Sequence, residues 1–330
     1  MSTFKAVLAT QEDGKFRASI QELDRGMLPP GDVLVRVRYS GLNYKDGLAV
    51  TGRPGVIRKF PMVPGVDLAG VVEESASPLW KPGDQVVVTG YGLSETTWGG
   101  YSELARLDAR QMVRLPEGLT LKQSMAIGTA GFTAMQCVMA LERHGVVPGS
   151  GDVLVTGAAG GVGSIAVAIL AKLGYRVSAS TGRAELGDYL RSLGASAIVE
   201  RSTLAAPSKR AMETERWAGA VDTVGGDTLA AIIRSLKANG SLAACGLAGG
   251  SALSTTVFPF ILRGVNLLGV NSVYVSQSDR ALIWERLPRD LPLALLDSMT
   301  QEAPLSDVFE LGEKIIAGII RGRTVMRIPG

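Results

Sequence analysis

The chain has 330 residues, 46% hydrophobic and 20% charged, with 34 basic against 31 acidic side chains and a formal net charge of +3. That length favours two domains, and the composition is that of a soluble enzyme able to bury a large core. The near balance of charge excludes a nucleic-acid footprint and a polybasic membrane surface, so neither is expected as a partner.

Residues 1–9 read as a first strand, because no long apolar run follows a basic start. Segment 33–39 alternates apolar and polar side chains after the turn Pro29-Pro30-Gly31-Asp32. Further strands are predicted at 69–72 and 85–88, the second introduced by Lys81-Pro82-Gly83-Asp84. Short strands separated by Gly/Pro turns predict a small barrel-like unit.

The pattern changes from Ser124 onward. Residues 153–155 form an apolar strand that runs into Thr156-Gly157-Ala158-Ala159-Gly160-Gly161-Val162-Gly163, and a helical pattern follows over 164–173. Strand, glycine-rich turn and helix in that order open a dinucleotide-binding βαβ unit. Gly160 would admit a pyrophosphate close to the backbone, and Gly163 would let the helix lie against the strand. The helix N-terminus would face the phosphates. The first glycine of the fingerprint is replaced by Ala158, with Gly157 just before it. The uncharged stretch 153–171 is long enough to span a bilayer, but its glycines interrupt it and a buried strand-turn-helix explains it better.

A second strand is predicted over 175–180. An NAD site would place an acid near its end, to hold the ribose 2′-OH. Here the chain reads Ser178-Ala179-Ser180-Thr181-Gly182-Arg183, and Glu185 is the first carboxylate. The hydroxyls of Ser180 and Thr181, the open Gly182 and the Arg183 guanidinium suit a 2′-phosphate, which predicts NADPH over NADH. Helix 185–193, strand 197–199, strand 220–224, helix 227–237, strand 241–245 and a late apolar strand at 265–270 continue the alternation into a parallel sheet. The last strand would be an edge that is covered or pairs with a second copy, which predicts a homodimer. A helix at 305–320 and a strand at 323–328 would return to the first domain.

Cys137 and Cys245 lie far apart in apolar segments and read as small buried hydrophobes, which fits a reducing cytoplasm. His144 is the single histidine and is read as structural or exposed.

Four segments together resemble the medium-chain dehydrogenase/reductase superfamily, in its zinc-free quinone-oxidoreductase-like branch. They are Gly41-Leu42-Asn43-Tyr44-Lys45-Asp46, Pro64-Gly65-Val66-Asp67-Leu68-Ala69-Gly70, Gly128-Thr129-Ala130-Gly131-Phe132-Thr133-Ala134 and the glycine cluster. Asn43 to Asp46, Trp98-Gly99-Gly100 and Cys245-Gly246-Leu247-Ala248-Gly249-Gly250 resemble, more narrowly, the acrylyl-CoA reductases and their quinone-reductase relatives. The resemblance implies an α/β chain with a Rossmann doubly wound parallel sheet (124–272) and a GroES-like β-barrel catalytic domain (1–123 and 273–330). Zinc-dependent relatives place Cys, His and Cys where this chain has Asn43, Val66 and Ala130, none of them a standard zinc ligand. Without that Lewis acid the feasible chemistry is hydride transfer to an activated C=C bond, as from NADPH to acryloyl-CoA, giving propionyl-CoA. Domain closure would bring the reacting atoms together. An NADPH:quinone reductase and a non-catalytic NADPH-binding protein are the alternatives.

The resemblance also implies site residues. Tyr44 is the candidate for touching cofactor or donating a proton, and Asn43 for hydrogen-bonding the nicotinamide ribose or substrate. Asp46 is either a charged partner for Lys45 or arginines, or a proton carrier. Thr129, Leu247, Ile261, Ser272 and Arg323 join Ala159, Gly160, Gly161, Val162 and Gly163 as cofactor residues, although Ile261 also reads as core. From charge rather than from the resemblance, Arg53, Arg58 and Lys59, clustered on a loop soon after Asn43, would grip the phosphates of a short enoyl-CoA.

Overall fold

The computed structural model describes residues 3–204, 208 and 210–330. The chain divides into two compact units, Met1–Thr129 with Val273–Ala281 and Leu296–Gly330, and Ala130–Ser272 with Leu282–Leu295. Compared with the boundaries expected from sequence, 124–129 groups with the first unit and 282–295 with the second.

The chain opens with a hairpin of β1 (Thr3–Glu12) and β2 (Lys15–Asp24). Asp13 and Gly14 link them with φ of 49° and 74°. Both are left-handed, as a tight two-residue hairpin turn demands. Then come β3 (Val33–Gly41), α1 (Tyr44–Val50), β4 (Asp67–Ser75), β5 (Gln85–Thr89), β6 (Leu104–Leu107) and β7 (Val113–Arg114). Next is α2 (Leu121–Arg143), interrupted at Gly128, whose φ of 50° and ψ of −156° are not helical.

The second unit runs through β8 (Asp152–Val155), α3 (Gly161–Lys172), β9 (Arg176–Thr181), α4 (Gly187–Ser192), β10 (Ala197–Glu200) and α5 (Arg201–Leu204). It continues with β11 (Trp217–Asp222), α6 (Gly226–Ser235), β12 (Leu236–Ala244), α7 (Phe258–Arg263) and β13 (Asn266–Gly269). The C-terminal part holds α8 (Gln277–Asp290), α9 (Leu293–Ser298), β14 (Thr300–Pro304), α10 (Val308–Ile316) and β15 (Arg323–Arg327).

In the first unit one sheet has the order β14-β15-β3-β4-β5-β7, with β6 pairing the start of β3 while β15 pairs its end. All its pairs are antiparallel except β14 with β15. Its core is built from the inward positions of these strands, among them Val33, Val35, Val37, Leu68, Val86, Val88 and Met326. This is the alternation read from 33–39, now with one face dry.

The second unit has the parallel order β10-β9-β8-β11-β12-β13. Chain direction across the sheet reverses between β8 and β11, so their carboxyl ends form the switch point where such sheets bind ligands. The stretch 153–171 is thereby resolved as β8, a turn and α3. Among the described residues, the helix that is long and apolar enough for a membrane is instead α2, and that segment is mostly buried. β12 begins at Leu236, inside the segment expected to end a helix.

Candidate functional site

The second unit builds a nucleotide cradle at its switch point. Gly157 leaves β8 with φ of 55°, so it makes the tight turn that the fingerprint assigns to the position of Ala158. A Cβ on Gly163 would lie 2.3 Å from Gly157 O and 2.6 Å from Ala158 Cα, both backbone atoms. Only glycine lets α3 approach that closely. At Gly160, the N-cap of α3, a Cβ would meet nothing nearer than Gly157 O at 3.3 Å. The same spot therefore leaves room for a ligand, and the first-turn amides of Gly161, Val162 and Gly163 point to that end of the helix.

The neighbouring strand end is braced by a network the sequence reading missed. Thr156 Oγ1 donates to Asp222 Oδ1 at 2.6 Å, and Gly225 N donates to Asp222 Oδ2 at 2.8 Å. Thr223 Oγ1 donates to Thr156 O at 3.0 Å. Burial holds the Asp222 carboxyl above the ordinary aspartate range, opposed by these donors. The ends of β8 and β11 are thus fixed to each other.

At the end of β9, Ser180 and Thr181 are buried, Gly182 is exposed and Arg183 half-buried. Thr181 Oγ1 accepts from Arg183 N at 3.1 Å. A second guanidinium stands here. A Cβ on Gly182 would lie 2.7 Å from Arg201 Cζ and 2.9 Å from its Nε. Arg201 is exposed and begins a short helix, so nothing in its local sequence announced it. Leu247 is 61% and Ile261 67% exposed. Core packing is thereby ruled out for Ile261, while Phe260 beside it does pack on the core. Ser272 is half-buried.

The first unit builds a buried polar cluster where three of the sequence motifs meet the C-terminal strand. Asn43 caps α1. Its backbone N donates to Asp46 Oδ2 at 2.9 Å, and its Nδ2 donates to Asp46 Oδ2 at 3.0 Å and Asp67 Oδ2 at 2.9 Å. Val66 N donates to Asp46 Oδ1 at 2.8 Å. Asp67 also accepts from Gly41 N at 2.6 Å and Thr129 N at 2.8 Å. Arg323 Nε donates to Ala126 O at 2.6 Å, and its Nη1 to Leu42 O at 3.2 Å and Asn43 Oδ1 at 3.4 Å. Tyr101 closes the cluster by donating to Gly41 O at 3.0 Å.

Glycines make the space. A Cβ on Gly41 would stand 2.9 Å from both Arg323 Nη2 and Asp67 Oδ1, and one on Gly128 2.8 Å from Asp67 Oδ2. Burial and then the nearby Asp67 push the Asp46 carboxyl from 3.8 up to about 7, against the pull of its three donors. Burial lowers Arg323, opposed by both aspartates. Burial likewise carries the Tyr101 phenol well above its usual value.

Three expectations change on this geometry. Both Asn43 amide hydrogens and its oxygen are engaged inside the cluster, which replaces the expected bond to ribose or substrate. Asp46 does not pair with Lys45, which instead contacts Glu95. Arg323, expected at the cofactor, turns its guanidinium into the interior of the first unit and is 2% exposed. Tyr44 remains accessible at 40% exposure. Arg53 lies 3.4 Å from Glu313 and Arg58 3.8 Å from Glu95, with all three basic residues of that loop, Lys59 included, exposed.

Cys137 and Cys245, distant in sequence, come within thiol hydrogen-bonding reach of each other, which together with burial raises the Cys137 thiol. His144 is exposed just beyond α2, its Nδ1 2.8 Å from Ala140 O.

Residues 29–117 match the alcohol dehydrogenase GroES-like domain, and residues 161–287 match the family described as zinc-binding dehydrogenase. Acrylyl-CoA reductase AcuI of Ruegeria pomeroyi is 54% identical over 96% of each chain. The chain belongs to the medium-chain dehydrogenase/reductase superfamily. The YhdH oxidoreductase from Salmonella enterica, solved in complex with NADP, superposes with a TM-score of 0.96 at 50% identity, covering 98% of this chain and 100% of that one. YhfP from Bacillus subtilis, named a putative quinone oxidoreductase and solved with NAD bound, superposes at 0.95 and 41% identity over 99% and 100% of the two chains. The three positions at which zinc-dependent relatives carry their ligands supply none here. Asn43 is committed to two carboxylates, Val66 and Ala130 carry no donor atom in their side chains, and no group of three or more His, Cys, Asp or Glu suited to a metal exists among the described residues.

Proposed function

We propose that this chain is an NADPH-dependent, zinc-independent reductase of short enoyl-CoA thioesters that converts acryloyl-CoA to propionyl-CoA. The end of β9 carries the cofactor half of that reading. Residues 180–183 include no carboxylate to hold a 2′-OH or repel a phosphate, and the guanidinium of Arg201 lies against Gly182, next to Arg183. The substrate half is supported by the relatedness to the Ruegeria reductase along nearly the whole chain.

In this reading the second unit holds the nucleotide. The first-turn amides of α3 take the pyrophosphate, Ser180, Thr181, Gly182, Arg183 and Arg201 take the 2′-phosphate, and Leu247, Ile261 and Ser272 border the nicotinamide end. The first unit, as catalytic domain, supplies Tyr44 and the Thr129 segment. NADPH, when bound, supplies a hydride for the β-carbon of the enoyl thioester. Tyr44 donates a hydrogen bond to the substrate, or the proton that the α-carbon requires once the β-carbon is reduced. Asn43, Asp46 and Arg323 hold that segment from below. Arg53, Arg58 and Lys59 are the exposed cations for the CoA phosphates.

The edge strand β13 carries Leu267, 38% exposed. Pairing of β13 with the same strand of a second copy would close that edge, so we read the enzyme as a homodimer, which light scattering on the purified chain tests. Two free cysteines agree with a cytoplasmic setting.

Turnover decides the function. NADPH oxidation with acryloyl-CoA supports it. Turnover with a small quinone alone would replace it with the reading that YhfP suggests, and tight NADPH binding without turnover would make the chain a non-catalytic binder.

A further inference from the structure

We propose that Asp67 is a positioning residue for hydride transfer. Its carboxylate ties the Asn43–Tyr44 turn and the Thr129 amide, which lie far apart in the sequence, into one platform. The inference rests on the reading above, in which Tyr44 and the Thr129 segment serve the reaction.

Asp67 accepts three hydrogen bonds, from Gly41 N, Asn43 Nδ2 and Thr129 N, and its residue is 0% exposed. The first two donors precede Tyr44 in the chain. The third is the residue after Gly128, where α2 is interrupted. Arg323 braces the same two segments from their carbonyls, reaching Leu42 O on one side and Ala126 O on the other. A methyl group at Gly41 or at Gly128 would collide with this pair, so both flanking glycines serve the same crossing point. One anion and one cation, both buried, therefore set the spacing between Tyr44 and Thr129. Neither needs to touch the substrate. Misplacing a reacting group by about 1 Å costs on the order of 100-fold in rate.

The test is Asp67→Asn in the full chain, which keeps the shape but puts an NH2 donor either on the oxygen that accepts from Gly41 N or on the one that accepts from Asn43 Nδ2 and Thr129 N. Arg323→Lys is the second variant, since it keeps the charge yet reaches fewer carbonyls. For the folded variants the expected result is a kcat about 10- to 100-fold lower, with KM for acryloyl-CoA and Kd for NADPH changed by less than about threefold. NADPH deuterated at the transferred hydrogen should give a larger isotope effect on kcat than in the wild type, because hydride transfer becomes the slow step. A merely structural role would lower the active fraction and leave the isotope effect unchanged, and that result overturns the proposal. So does a kcat within about twofold of wild type in both variants. If Asp67→Asn does not fold, Arg323→Lys decides alone. If the wild type reduces quinone but not acryloyl-CoA, the substrate reading has failed, and the isotope effect measured with quinone still judges Asp67.

Discussion

Replacing Arg201 by Ala should turn a preference for NADPH into near indifference while leaving the fold intact. The side chain is exposed and sits on a four-residue helix, so its removal takes little from the core. Its guanidinium stands where a Gly182 Cβ would be 2.7 Å from Cζ, that is, directly against the turn that ends β9. A charge-assisted hydrogen bond contributes about 1.5–3 kcal/mol when well shielded. Exposure screens this one, so about 1–2 kcal/mol is the appropriate range. That corresponds to a roughly 5- to 30-fold weaker NADPH affinity. NADH lacks the 2′-phosphate and should be unaffected. Titration of both nucleotides by quenching of intrinsic fluorescence, with wild type and variant side by side, gives the comparison. Equal weakening for NADH and NADPH, or no weakening for NADPH, would refute the assignment of this turn.

Gly163→Ala puts a methyl against backbone atoms at 2.3 Å and 2.6 Å that cannot yield, so α3 must lift; thermal unfolding should report about 1–3 kcal/mol of destabilisation together with weaker NADPH binding. Asp46 has its folded pKa raised from 3.8 to about 7, so its stabilising contribution is complete below 3.8 and is lost as pH rises through about 7. Calorimetry across that window should show Tm of the wild type falling by on the order of 5 °C and Asp46→Asn losing that slope, and parallel curves would show that Asp46 does not titrate there. Reversing the charge at exposed Arg58, by Arg58→Glu, should raise KM for acryloyl-CoA several-fold yet spare a small quinone; equal effects on both would remove Arg58 from CoA binding.

Most of the second unit was legible because its signals are local. An apolar run ending in Gly157, Gly160 and Gly163 dictates strand, turn and helix, and the missing acid after β9 is visible by inspection. β12 was misplaced at its start because 227–237 keeps a helical pattern past Ser235, whereas pairing with β11 takes Leu236 into the sheet. β14 escaped notice for a different reason. Thr300–Pro304 is short and polar, and only its parallel pairing with β15 makes it a strand. The motifs around Asn43, Asp67 and Gly128 were each recognisable, yet nothing local says that they meet Arg323 from the far end of the chain. That convergence also reassigns Asn43, whose side chain serves two carboxylates. Arg201 was missed because an exposed arginine has no pattern of its own. The cysteine pair was missed because proximity of residues 137 and 245 is a property of tertiary packing alone.

The most direct measurement is the initial rate of NADPH oxidation by the purified chain with acryloyl-CoA, after dialysis against a strong metal chelator, with propionyl-CoA identified as product. The proposed function predicts stoichiometric formation of propionyl-CoA, unaffected by the chelator and much slower with NADH. Activity that disappears with the chelator and returns with zinc, or oxidation of NADPH without propionyl-CoA, would contradict it.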